Sequence, residues 1–317
     1  MNDASPPLPP LPPRDPAGHK GTFGTVVAIG GCASPETRMV GAPALVARAA
    51  LRAGAGLAKV LAPEPVLDTI LSLIPSATGR ALPVDERGDI VPHLAAEIFD
   101  DAADQADALV VGPGLGRGDG ARALVHRVMG QPDRPVIADA DALTLLAATP
   151  DFALDLRAPA VLTPHPGEFA RLAAALRINA DPVAPDARPA AAERLAQRLG
   201  CVVVLKGAGT VVTDGLRTWV CDRGHPCLAT AGTGDVLAGL IAGLVAQFVP
   251  SGPRAIGSVT LPPPPGRPLD LFDAARLAVQ AHAVAGEQWA AAGRADAGLL
   301  AEELADGLSA VLTPMRR

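Results

Sequence analysis

The sequence predicts an α/β fold: a mainly parallel central sheet, helices on both of its faces, and an antiparallel strand at one edge. Three observations carry that prediction. Short β-branched apolar runs alternate with stretches whose apolar residues step by three and four. Loops that follow such runs are rich in glycine, at 30–31, 112–116, 207–209 and 232–234. Two strand-like runs, 202–206 and 210–213, stand three residues apart across Gly207-Ala208-Gly209, which signals a hairpin.

The elements follow in order. Residues 1–18 hold six prolines between Pro6 and Pro13 and read as an extended or disordered arm. Residues 19–317 then form one domain. Thr25-Val26-Val27-Ala28-Ile29, bounded by glycines, is a buried strand. Pro43 suits the first turn of a helix over 44–53 that stops at Gly54, and 55–61 is the next strand, giving a parallel βαβ unit. Residues 67–73 are helical in pattern. The strand at 108–111 opens into Gly112-Pro113-Gly114-Leu115-Gly116, and a helix at about 119–130 precedes the strand at 136–139. Asp141 reads as the N-cap of a helix carrying Leu143, Leu145 and Leu146. The strand at 160–163 leads into Pro164-His165-Pro166-Gly167-Glu168 and a helix to about residue 176. A loop at 179–189 and a helix at 188–199 come before the hairpin. A helix at 235–249 is followed by a Pro-rich stretch at 250–268, read as an insertion loop. Two Ala/Leu-rich helices, about 270–292 and 298–310, close the chain.

Composition narrows the function. Hydrophobic residues make up 49% of the 317 and aromatics 3%, with no Tyr, so aliphatic side chains must fill the core. The net charge of −6 and the lack of a basic tract exclude nucleic acid as a partner. Cys32, Cys201, Cys221 and Cys227 form no CxxC pair or metal spacing and read as free intracellular thiols. No apolar h-region stands at the N-terminus, and the apolar run 236–246 is shorter than the roughly 20 residues that span a bilayer. These features predict a soluble cytoplasmic protein with no membrane partner.

One stretch stands out, Ala229-Thr230-Ala231-Gly232-Thr233-Gly234-Asp235, directly before the helix bearing Leu237, Leu240, Ile241 and Leu244. Glycines let backbone approach a ligand, and the free N–H groups at a helix start favour a phosphate. A carboxylate beside that site repels a resting phosphate; it makes sense as a base on the hydroxyl that attacks it. The same residues also fit a plain turn with Asp235 as a cap. The chain has no Gly-Lys dipeptide, hence no P-loop, and Arg117 stands where a dinucleotide fingerprint starting at Gly112 needs glycine. In an open α/β sheet, ligands gather at the carboxyl ends of the strands, so the Gly-rich loops are expected to converge on one pocket there.

Gly41-Ala42-Pro43, Arg52-Ala53-Gly54-Ala55-Gly56-Leu57, Gly112-Pro113-Gly114-Leu115-Gly116, Thr163-Pro164-His165-Pro166-Gly167-Glu168, Lys206-Gly207-x-x-Thr210 and Ala231-Gly232-Thr233-Gly234-Asp235 occur together in this order. From about residue 21 to 312 the chain resembles the ADP-dependent NAD(P)H-hydrate dehydratases, a branch of the ribokinase-like fold. The resemblance implies a three-layer sandwich and a repair reaction. The hydroxyl that water adds at C6 of a reduced nicotinamide ring is phosphorylated by ADP. Phosphate then leaves, giving NADH or NADPH, AMP and phosphate. Carried over, Asp235 is the base and touches substrate. Ala42, Gly114, Gly116 and His165 contact the hydrate. Lys206, Gly207, Ala208, Gly209 and Thr210 line the nucleotide, and Gly232, Thr233 and Gly234 hold the transferring phosphate. Mg²⁺ bridges the ADP phosphates with water and phosphate ligands and no dedicated carboxylate cage. A homo-oligomer, with a tetramer among the states open to it, is also implied.

Two departures from the family pattern stand out. Gly224-His225-Pro226-Cys227 lies where relatives often carry Asn-x-Gly, and the stretch 250–268 is longer than expected. Many relatives carry a fused epimerase domain; with about 20 residues before the first strand, none is expected here. Two other readings stay open. A vitamin-precursor kinase of the same fold, acting on hydroxymethylpyrimidine or hydroxyethylthiazole, would stop at the phosphorylated product. A nucleotide sensor would bind without turnover. The Thr163–Glu168 run favours the dehydratase over the first, and Asp235 argues against the second.

Overall fold

The computed structural model describes residues 7–252, 254–256, 259–261, 267–293 and 295–316. Its strands are β1 (Thr25–Ile29), β2 (Cys32–Ala33), β3 (Arg38–Met39), β4 (Leu57–Pro63), β5 (Thr78–Leu82), β6 (Ala108–Val111) and β7 (Val136–Ala138). Then come β8 (Ala160–Leu162), β9 (Val202–Leu205), β10 (Val211–Thr213), β11 (Thr218–Val220), β12 (Arg254–Ile256) and β13 (Val259–Leu261). The helices are α1 (Gly41–Ala53), α2 (Glu64–Leu73), α3 (Pro92–Ala103), α4 (Asp119–Gly130) and α5 (Asp141–Ala147). They continue as α6 (Pro166–Ala175), α7 (Arg188–Leu199), α8 (Thr233–Phe248), α9 (Leu271–Gly293) and α10 (Ala301–Leu312).

Nine strands form one sheet in the order β11-β10-β9-β8-β7-β6-β1-β4-β5. All pairings are parallel except those of β10, which runs antiparallel to β9 and to β11. β1 pairs with β4 in the register Thr25↔Leu57, as the βαβ reading requires. Alternation along β1 sorts the core onto two faces. Val26 and Ala28 join the cluster built with α1, α8, α9 and α10. Val27 and Ile29 join the cluster under α3 to α7. The result is a three-layer, ribokinase-like α/β sandwich whose parallel strands all deliver their carboxyl ends to one edge.

Helix α8 is nearly all apolar and is buried from Val236 to Phe248. Its Gly239 and Gly243 face α1. A methyl on Gly239 would sit 2.3 Å from the Val46 carbonyl, and one on Gly243 would sit 2.7 Å from Cβ of Ala53. The helices therefore meet backbone to backbone.

Three expectations change. Residues 7–18 contain no helix or strand, yet they are docked rather than disordered: Leu11 is fully buried, its N–H donates to Met315, and Arg14 donates to Gly54 and Gln247. Residues 1–6 lie outside the described ones, as does Pro262–265 of the expected insertion; within that stretch β12 and β13 pair antiparallel. Asp141 is not a cap. It is the first residue of α5, after Ala140 at φ 53, and its side chain points back to accept the N–H of Gly116 at 3.0 Å and Nε of Arg117 at 3.1 Å. The long-range partners outcompete the local cap.

Candidate functional site

The turn Thr230–Gly232 swings the chain into α8 with Gly232 at φ 90, a conformation that favours glycine. The space a Gly232 side chain would need is filled by Leu45 and Ala301, both 2.8 Å from the ideal Cβ position. Thr233 turns inward, its hydroxyl donating to the carbonyls of Leu228 and Thr230, both at 2.9 Å. Thr233 and Val236 have backbone partners for their N–H groups, whereas Gly234 and Asp235 have none among the described residues. Two free N–H groups at the positive end of a 16-residue helix make an anion site.

Charge gathers at the same edge. The strand end at β7 places Asp139, and β9 delivers Lys206, whose Nζ lies 2.7 Å from Asp139 Oδ1. The hydroxyl of Thr163, just past β8, donates to the same oxygen at 2.7 Å. Glu168 Oε2 stands 4.0 Å from Lys206. Burial disfavours the Lys206 ammonium, but Asp139 and then Glu168 outweigh it and raise its pKa. Asp235, in the first turn of α8, is pushed up from 3.8 to about 7, first by burial, then by the like charge of Asp139, against the pull of Lys206. A carboxyl poised near neutrality beside an anion site is the arrangement a general base needs.

Two cavities, rather than the single one expected, lie at this edge. The larger, about 760 Å³, is lined by Lys206, Gly207, Ala208, Gly209 and Thr210 on one side and by Thr233 and Gly234 on another. An added Cβ on Gly234 would lie 3.5 Å from Lys206 Nζ, so the hairpin and the helix start face each other. The smaller, about 550 Å³, takes in Gly116, Cys32 and Asp141. Gly114, at φ 63, packs beside Ala42 next to it, with 3.2 Å between its ideal Cβ and that of Ala42. Asp235 feels the charges of both Lys206, on the first wall, and Asp141, on the second.

Gly232 lies behind the larger cavity rather than on its wall. His165 lines neither cavity. It is the N-cap of α6: Nδ1 accepts the N–H groups of Gly167 at 3.0 Å and Glu168 at 3.4 Å, and Glu168 returns a bond to the N–H of His165. Burial and the nearby Lys206 lower its pKa, and Nε2 lies 3.4 Å from Glu168 Oε1, so Glu168 meets both the ring and the backbone of His165.

Two residues escaped the sequence reading. Arg188, at the start of α7, is buried and its guanidinium donates to the carbonyls of Leu205 at 2.9 Å and Lys206 at 3.2 Å. It thereby pins the hairpin that carries residues 206–210, and the left-handed Gly207 leaves room for it. His282, on α9, donates from Nε2 to the Thr233 carbonyl at 2.9 Å and lines the larger cavity. Burial pushes its pKa down to about 4. Nothing local marks either residue; each acts through a fold-level contact.

Among the described residues, no group of three His, Cys, Asp or Glu side chains is placed to hold a metal ion, and no helix is long and apolar enough to cross a membrane.

Comparison with known proteins identifies the family. A family model described as NAD(P)H-hydrate dehydratase matches residues 26–309. The bifunctional NAD(P)H-hydrate repair enzyme of Salinibacter ruber is 42% identical over 230 residues, 72% of this chain and 41% of that protein. The one of Escherichia coli is 35% identical over 298 residues, 93% and 48% respectively. The chain thus spans about half the length of the curated relatives it matches. Among solved structures, the ADP/ATP-dependent NAD(P)H-hydrate dehydratase of Bacillus subtilis, co-crystallised with ATP/Mg²⁺, superposes with a TM-score of 0.70 at 29% identity, covering 96% of this chain and 95% of that one.

Proposed function

The chain belongs to the NAD(P)H-hydrate dehydratase family, and from that premise we propose that it is a nicotinamide-repair lyase: it converts the C6 hydrate of NADH or NADPH, with ADP, to the reduced cofactor, AMP and phosphate. The observation that carries this reading is Asp235, its carboxyl pushed up to about 7, beside two unpaired helix N–H groups and next to Gly234, which lines the larger cavity.

In this reading ADP occupies the larger cavity, its terminal phosphate on the N–H groups of Gly234 and Asp235. The hydrate enters the smaller one past Ala42, Gly114 and Gly116, with His165 Nε2 as a further contact. Asp235 removes the proton from the C6 hydroxyl as its oxygen attacks the terminal phosphorus, and AMP departs. Lys206 and the helix start stabilise the charge that builds on the phosphoryl oxygens. The ring nitrogen then expels phosphate from C6, and loss of the C5 proton restores the ring double bond. Phosphate leaves where hydroxide would not. Mg²⁺, held mainly by ADP phosphates and water, would supply further charge neutralisation there. A cytoplasmic homo-oligomer is the setting we propose.

The test is incubation with NADH hydrate, ADP and Mg²⁺, following absorbance at 340 nm and AMP. Stoichiometric AMP and reduced cofactor support the reading; a stable phosphorylated product would make the protein a kinase instead. ATP in place of ADP should react more slowly, and an equal or faster rate would refute the ADP preference.

A further inference from the structure

The smaller cavity carries four charged residues that the chemistry above leaves unused or uses only indirectly: Arg87, Arg117, Asp89 and Asp141. By charge they cancel. Their hydrogen bonds separate them. Asp89 accepts the N–H of Ile90 at 2.9 Å on one oxygen and that of Gly120 at 3.3 Å on the other. Asp141 accepts Arg117 Nε on one oxygen and the N–H of Gly116 on the other. Both carboxylates are therefore engaged by protein donors.

The arginines are not. Arg87 makes no side-chain hydrogen bond or ion pair among the described residues. Arg117 uses only Nε, and its side chain is 64% exposed, so both Nη groups stay open. The wall thus presents unmet donors that carry positive charge. Arg87 is also firmly mounted. Asp85 Oδ1 accepts its backbone N–H at 2.9 Å and that of Asp89 at 3.0 Å. The next residue, Gly88, is left-handed, and a side chain there would strike the Ala33 carbonyl at 2.4 Å, so the turn is pressed against β2.

We infer that Arg87 and Arg117 form a phosphate subsite for the dinucleotide hydrate, gripping its pyrophosphate or, in the NADPH form, its 2′-phosphate while the ring reaches Asp235. This rests on the hydrate reading above. Guanidinium matches phosphate oxygens bidentately and stays charged, which suits a subsite that only positions. Its openness to water makes the attraction salt-sensitive.

Arg87→Ala is the cleanest probe, because the side chain it removes supports nothing else in the fold. The variant should raise KM for NADPH hydrate about ten-fold at low salt, as loss of a charged hydrogen bond does, with kcat within about two-fold and KM for ADP unchanged. Arg87→Lys should recover part of the loss. An equal rise with NADH hydrate assigns the pyrophosphate; a rise confined to NADPH hydrate assigns the 2′-phosphate. Arg122→Ala, which removes an exposed pair with Asp119, should change none of these values. If wild-type enzyme turns over both hydrates and neither Arg87→Ala nor Arg117→Ala raises a hydrate KM, the subsite is wrong. If wild-type enzyme turns over neither hydrate, it is the hydrate reading that fails.

Discussion

At the amino ends of the strands, Asp107 meets Arg267 Nη2 at 2.8 Å, the hydroxyl of Ser251 at 3.2 Å and the N–H of Thr25 at 2.8 Å, all of them buried. At the carboxyl ends, Asp139 meets Lys206 in a similarly close pair, but Asp235 beside it accepts no hydrogen bond from the described residues. The first cluster closes its charges on one another and locks β1, β6 and the segment at 267. The second leaves one carboxylate and two helix N–H groups without partners among the described residues. The same residue types, at opposite edges of one sheet, make a structural lock and the candidate site. What separates them is how far the protein's own groups satisfy the carboxylate.

Substitutions can break that contrast. The largest effect is expected for Asp235→Asn. It should keep ADP binding within a few-fold and lower kcat by about 10²–10⁴, the range lost with a general base. Near wild-type turnover would remove Asp235 from the chemistry. Lys206→Met should come next: it takes a cation from the phosphoryl path, so kcat should fall about 10–100-fold. It also takes the pull of Lys206 off Asp235, so the alkaline rise of activity, centred near pH 7 in the wild type, should move to higher pH.

At the other edge, Asp107→Asn strands the Arg267 guanidinium in the interior. Stability to urea should drop by about 3–5 kcal/mol while kcat of the folded enzyme holds. A loss of kcat with stability intact would show that the two edges are coupled. The smallest effect sharpens the comparison. Because the folded-state pKa of Asp235 is raised, its ionisation favours the unfolded chain, and stability falls as pH climbs from about 4 through about 7. Asp235→Asn should therefore raise Tm by roughly 3 °C at pH 8 and by less at pH 5. The Asp235 carboxylate would then destabilise the fold, whereas Asp107 supports it.

Much of this was legible beforehand. The apolar runs at 25–29, 108–111 and 202–205 announce buried strands because both faces of a parallel strand are covered, so every position is apolar. The edge strand β5, Thr-Gly-Arg-Ala-Leu, is half wet and shows no such run, and α3 buries mainly alanines, too weak a stripe to read. Neither was anticipated. At the site, Asp235 and the 206–210 hairpin announce themselves through local glycine chemistry. The Lys206–Asp139 pair, the Arg188 anchor and the His282 bond to Thr233 join residues far apart in sequence. Only the sheet order brings them together, and no spacing rule encodes it. His165 shows the reverse case: its motif draws the eye to chemistry, while its ring nitrogen serves the α6 backbone.

The glycine contact between α8 and α1 reaches further than packing. Gly239 sits one turn beyond Asp235, about 6 Å along the helix axis. With no side chain to act as a cushion, the Val46 carbonyl sets the height at which α8 rests, and so the height of the amide pair at its tip. The pair of unpaired amides at the start of α8 is thus levelled from below, like a shelf on a fixed bracket.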